Sequence, residues 1–207
     1  MTSIDALTLD VPDTAAAKAF YDNAFGIVDR LRFRTSDSPS SGFRGYVLSL
    51  VVPDPAVVDS LIGPAIDAGA TVIKPAKKSF WGYGGVVAAP DGALWKVASS
   101  SKKETGAPAR QIDDIVLLIG AADVAASKKF YVDHGLTVAK SFGRKYVEFA
   151  GGADAITLAL YGRKAAAKDA GVDPAGSGAH RLQITSDAGA FTDPDGFVWQ
   201  VHADVAG

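Results

Sequence analysis

The chain has 207 residues, 48% of them hydrophobic and 21% charged, and its 21 basic and 23 acidic side chains leave a formal net charge of -2. That length suits one large domain or two small ones, and the balanced charge offers no basic excess to displace counterions from a nucleic acid. Cysteine is absent, which excludes disulfides and thiolate metal sites; no run approaches the roughly 18 apolar residues of a membrane span, and no basic segment precedes an apolar run at the amino terminus, so a cytoplasmic location without a membrane partner is expected.

Taken in order, the chain opens with a β-rich run over 4–11, followed by a helix over 13–25 that Asp13 can cap and Gly26 can stop. Strands are predicted over 28–34 and 45–52, separated by a polar loop from Ser36 to Arg44. A second helix follows over 55–68, ending at Gly69, and further strands over 85–89 and 94–98. The segment from Ser99 to Arg110 is polar, carries Gly106 and Pro108 and has no apolar period, which marks an exposed linker. Beyond it come another strand, a helix opening at Asp123, strands over 145–149, 155–161 and 180–185, and a short solvated helix after Tyr161.

The two parts repeat one another. Ile4–Val11 recurs in pattern as Ile112–Ile119. Asp13 to Phe20-Tyr21 recurs as Asp123 to Phe130-Tyr131, and Pro90-Asp91-Gly92-x-x-Trp95 recurs as Pro194-Asp195-Gly196-x-x-Trp199. Three motifs kept in order at nearly constant offset identify a duplication. The predicted organisation is residues 1–101 as copy one, 102–111 as linker, and 112–207 as copy two. Between the strand at 180–185 and Thr192 too few residues remain for a helix, so copy two has a shortened or lost second helix.

The strand, the Asp-capped helix ending in Phe-Tyr and the duplicated Pro-Asp-Gly-x-x-Trp turn together resemble the vicinal oxygen chelate superfamily of glyoxalases, bleomycin-resistance proteins and extradiol dioxygenases. The resemblance covers both halves outside the linker. It implies an α+β fold of tandem glyoxalase-like domains, each of paired βαβββ units, with curved mixed sheets enclosing a cavity. In metal-dependent members, ligands come from the first strand, from the strand opening the second half, and from a Glu on the last strand after the turn glycine.

This sequence departs from that ligand pattern. In copy one the first-strand position is Ala6 and the Glu position is Lys96; a methyl cannot ligate and an ammonium repels a cation. The matching positions of copy two are Asp114, His180 and Gln200, a weaker set that constitutes the alternative, metal-bound reading. Lys96 has two further readings, as partner of a carboxylate such as Asp114 or of an anionic ligand. The string from Ser79 to Gly85 interleaves Phe80, Trp81 and Tyr83 with small residues, so Trp81 and Tyr83 are candidates to stack on a planar ligand, and Arg44 is a candidate to meet its carboxylate. Trp95 and Trp199 alternate with Lys96 and Gln200 along their strands and read as core.

The sequence thus leads to a small-molecule protein, first read as a metal-free binder of an apolar or aromatic ligand, with Trp81, Tyr83, Lys96, Arg44, Asp114 and Gln200 around the ligand and no cofactor. The alternative is a divalent-metal lyase, isomerase or dioxygenase using Asp114, His180 and Gln200. Internal pairing of the two copies predicts a monomer, with a homodimer as the other possibility.

Overall fold

A computed structural model describes residues 2–152 and 154–201; residues 202–207, the end of the expected copy two, lie outside the described residues. The first half contains β1 (Ile4–Val11), α1 (Thr14–Ala24), β2 (Leu31–Thr35), β3 (Ser40–Gly42), β4 (Tyr46–Val51), α2 (Pro55–Asp67), β5 (Thr71–Ser79), β6 (Gly82–Ala88) and β7 (Leu94–Ser99). The second contains β8 (Asp114–Ala121), α3 (Val124–Asp133), β9 (Val138–Phe142), β10 (Tyr146–Phe149), β11 (Thr157–Gly162), α4 (Arg163–Ala170), β12 (Gly176–Gly178), β13 (Leu182–Ser186), β14 (Phe191–Thr192) and β15 (Val198–Gln200).

Local chemistry sets the helix starts. Asp13 and Asp123 each accept two backbone N–H groups from the first turn of α1 and α3, and Asp54 accepts from Val57 at the start of α2, whose first residue is Pro55. The two Pro-Asp-Gly turns place Gly92 and Gly196 at φ +85° and +91°, a region that side chains with a Cβ avoid, which explains the glycine in both copies.

The strands assemble across the duplication. An eight-stranded sheet runs β5-β6-β7-β4-β8-β11-β10-β9, so four strands of the first half meet four of the second at the antiparallel β4–β8 seam, from Tyr46 opposite Ile119 to Val51 opposite Asp114. A five-stranded sheet, β14-β15-β13-β1-β2, also mixes the halves, with β1 antiparallel to β13. The expected cavity-forming sheets exist, but each is built from one unit of each half. The loop from Ser36 to Arg44 is also less free than its polarity implies: β3 pairs with β12 in a separate two-stranded sheet.

One apolar core joins both sheets on the faces that carry α1, α2 and α3. It includes Leu7 and Leu9 of the small sheet, Leu48, Leu50, Leu117 and Ile119 of the large one, and Tyr21, Leu61 and Tyr131 from the helices. The repeated motifs meet there. The Tyr21 hydroxyl donates to Asp91 at 2.8 Å and accepts from Trp95 Nε1 at 3.3 Å, and the Tyr131 ring lies 5.3 Å from that of Trp199 while its hydroxyl donates to Asp193. Trp95 and Trp199 are fully buried, as their alternation along the strands requires.

Only residues 187–190 separate β13 from β14, the place where the second helix of copy two was expected to be shortened or lost. The helix after Tyr161 exists as α4, but it is not the solvated helix its Lys-Ala composition suggests. Ala166, Ala167 and Ala170 are buried against Val47, Leu118 and Ala159, on the opposite face of the large sheet from α1, α2 and α3.

Candidate functional site

The free face of the eight-stranded sheet is the expected cup, and its floor follows from strand register. Ser49 of β4 lies opposite Lys96 of β7 on one side and Val116 of β8 on the other, and Val116 pairs with Thr157 of β11. One step along, Ala98, Val51 and Asp114 form the neighbouring row. Helix α4 lies across this floor and divides it.

On one side of α4 is a cleft of about 400 Å³, whose lining includes Lys74, Lys77, Trp81, Val86, Lys96 and Asp169. Lys96 Nζ is 2.6 Å from Asp169 Oδ2, and both side chains remain partly exposed, 34% and 42%. Lys74 Nζ donates to the carbonyls of Lys168 and Asp169 at 3.0 and 2.6 Å, closing the carboxyl-terminal end of α4. Trp81 stands at the tip of the β5–β6 hairpin, 82% exposed, edge-on to the equally exposed Phe80. Of these two rings Trp81 lines the cleft, while Phe80 has Lys102 Nζ over its face, 5.7 Å from the ring centre.

The other part of the floor carries a polar network. Thr157 donates to Asp114 at 3.2 Å, while Glu148 accepts from Lys140 at 2.8 Å and from Tyr146 at 2.9 Å. Burial pushes the Asp114 carboxyl above the ordinary carboxylate range, outweighing the Thr157 hydrogen bond. Burial, with Glu148 as its partner, pushes the Tyr146 phenol well up. A larger polar cavity of about 520 Å³ between the halves reaches Asp114 and Thr157, but its one aromatic lining residue, Phe25, is buried.

The sequence-derived candidates separate between these places. Lys96, Asp114 and Trp81 belong to the large sheet or its hairpin. Lys96 does not pair with Asp114; its partner is Asp169, contributed by α4. Tyr83 is also in the cleft lining, but its hydroxyl donates to Asp59 of α2 at 2.9 Å, which ties the ring's polar end to that helix. Arg44 donates to the Asp91 carbonyl at 2.6 Å and braces the first Pro-Asp-Gly turn instead of facing the Lys96 cleft. Gln200 belongs to the small sheet, where its row is Gln200, Thr185 and Ala6, and its amide donates to Thr185 Oγ1 at 3.2 Å.

The alternative metal set is split by the same topology. Asp114 is on the large sheet and Gln200 on the small one. His180 precedes β13, its ring nitrogens at 2.6 and 3.1 Å from the carbonyls of Arg44 and Asp195 and its ring stacked on Phe197. Nor does either sheet assemble a divalent-cation donor set by itself. The row around Ala6 offers an amide, a hydroxyl and a methyl, and the row around Lys96 presents an ammonium. Among the described residues, no three His, Asp or Glu side chains are grouped to hold a metal. The residues present do not fit the divalent ion that the superfamily resemblance implies.

Asp169 is the cleft residue that reading the sequence missed. Its signal was weak, a lone acid in a Lys-Ala stretch, and only the seating of α4 on the sheet brings it to Lys96.

No family model matches the chain, and no curated protein matches its sequence. Solved structures do match. Glyoxalase I from Zea mays superposes with a TM-score of 0.61 at 13% identity, covering 97% of this chain and 92% of that one. A candidate dioxygenase from Bacillus subtilis superposes at 0.57 with 14% identity, covering 93% of this chain and 71% of that one. Similarity that spans both halves at such low identity concerns the backbone plan, and together with the mixed sheets and repeated motifs it gives the conclusion that this chain has the fold of the vicinal oxygen chelate superfamily.

Proposed function

We propose that the protein binds a small planar molecule, apolar or aromatic in its body, in the cleft beside α4, and that binding needs no metal. The observation that carries this reading is the exposed Trp81 ring at the mouth of a cleft of about 400 Å³ that Lys96 also lines. A rigid aromatic surface beside an apolar floor of Val51 and Val86 favours a flat ligand. The two halves supply each other's sheet partners, which supports a monomer as the working unit.

A thermal-shift screen of aromatic metabolites and antibiotics tests the proposal. A ligand present at about 100 times its Kd stabilises the fold by about 2.7 kcal/mol, or roughly 5 to 10 °C in a chain of this size. The shift is expected to survive a chelator and to collapse in Trp81→Ala. A ligand whose binding is abolished by the chelator, or is indifferent to Trp81→Ala, would refute the proposal.

A further inference from the structure

Helix α4 is not part of the paired βαβββ plan, and it brings a carboxylate into the cup. Its seat is made by Ala166, Ala167 and Ala170, so Asp169 adds nothing to the packing that holds the helix down. Instead it reaches out to Lys96 Nζ at 2.6 Å. Around that contact the cleft presents three ammonium groups, Lys74, Lys77 and Lys96, against this one carboxylate. Lys74 is occupied by carbonyl oxygens, which satisfy its donors without cancelling its charge. Lys77 is exposed.

We propose that Asp169 is a built-in stand-in for the acidic group of the ligand, and that the cleft takes a planar molecule bearing an anionic substituent, which replaces Asp169 on Lys96. This deepens the reading of the cleft as a ligand site and rests on it. The physical argument has three parts. A cleft with surplus positive charge and partly desolvated walls attracts anions more strongly than the same charges would in open water. A half-exposed Lys–Asp pair adds little stability, so exchanging one carboxylate for another acid is cheap. The Trp81 ring then covers the flat part of a molecule whose acid is held at the cleft floor.

Two fluorescent probes of similar shape separate charge from shape in the full chain: anilinonaphthalene sulfonate, an anion, and N-phenylnaphthylamine, which is neutral. Each is titrated with the rise in the probe's own fluorescence and anisotropy on binding as the readout, which needs no tryptophan donor and so serves the Trp81→Ala variant equally. The sulfonate is expected to bind about tenfold tighter or better, an advantage that shrinks as salt rises from about 0.05 to about 0.5 M. Asp169→Asn is expected to raise the ratio of sulfonate to neutral affinity several-fold, and Lys96→Gln to lower it. Lys77→Gln, at an exposed position where folding is not at stake, lowers the ratio too. Equal affinity for the two probes, or a ratio that all three substitutions leave unchanged, would overturn the anion assignment while leaving the cleft as a binding site. Loss of neither probe in Trp81→Ala would overturn the underlying site instead.

Discussion

Asp114 shows how one side chain records its surroundings. It lies on the first strand of the second half, half-buried beside Thr157 and within the field of Glu148, and desolvation raises its pKa. Since its folded pKa lies above the unfolded value, ionisation costs stability: the contribution is most favourable below the unfolded value and is lost as pH rises through the folded one. Asp114→Asn keeps a group able to accept from Thr157 and removes that cost. The variant is therefore expected to melt higher than the parent at neutral pH, with the difference vanishing in acid, below about pH 4; melts across pH check this, and a neutral-pH destabilisation would contradict it. Lys96 was legible as a residue that cannot hold a cation. Its partner was not, because Asp169 lies 73 residues further along the chain, beyond any local spacing rule.

The segment between the halves behaves as a tied strap at the scale of elements. Asp54 caps α2 and at the same time accepts from the backbone N–H and hydroxyl of Thr105, at 2.9 and 2.7 Å, so one carboxylate fixes both a helix start and the linker. Those bonds, led by the backbone N–H of Thr105, hold its pKa down at about 2, against an ordinary 3.8. A depressed carboxylate stabilises the fold above its unfolded pKa and loses that contribution as pH falls through the folded one. Asp54→Asn is expected to lower the melting temperature at pH 7 and to approach the parent between about pH 4 and pH 2; urea unfolding at several pH values measures it, and a difference independent of pH would exclude the charge as the cause. Other elements explain what local reading missed. Strand β5 carries Pro75, Lys74, Lys77 and Lys78, a composition that obscures a strand yet suits an exposed sheet edge. Helix α4 was legible as a helix but not as a buried one, because alanine gives little hydrophobic contrast and the groove it fills is made by other strands.

For the whole molecule, the decisive feature is that both sheets cross the duplication. A fragment of residues 1–101 loses β8 from its β4 edge and β13 from its β1 edge; a fragment of 112–207 loses the same pairings from the other side. Each fragment, at concentrations where it is monomeric, is expected to show no cooperative melt and no near-ultraviolet signal from a packed tryptophan, whereas the full chain unfolds in one transition. Circular dichroism and calorimetry test this, and a half that melts cooperatively as a monomer would show that the cross-half seams are dispensable.

The sequence by itself determined the repeated motifs, the order of most elements, the Tyr and Trp pairs of the core, and the presence of Ala6 and Lys96, side chains that cannot hold a cation, on their strands. These are properties of local periodicity, capping chemistry and side-chain type, all of which are written within a few neighbouring residues. Only the tertiary structure decided which unit completes which sheet, that Asp114 and Gln200 lie in different cups, and that Asp169 meets Lys96. The reason is physical: strand edges carry the same backbone donors and acceptors whatever their sequence, so pairing is chosen by how faces bury together across the whole chain.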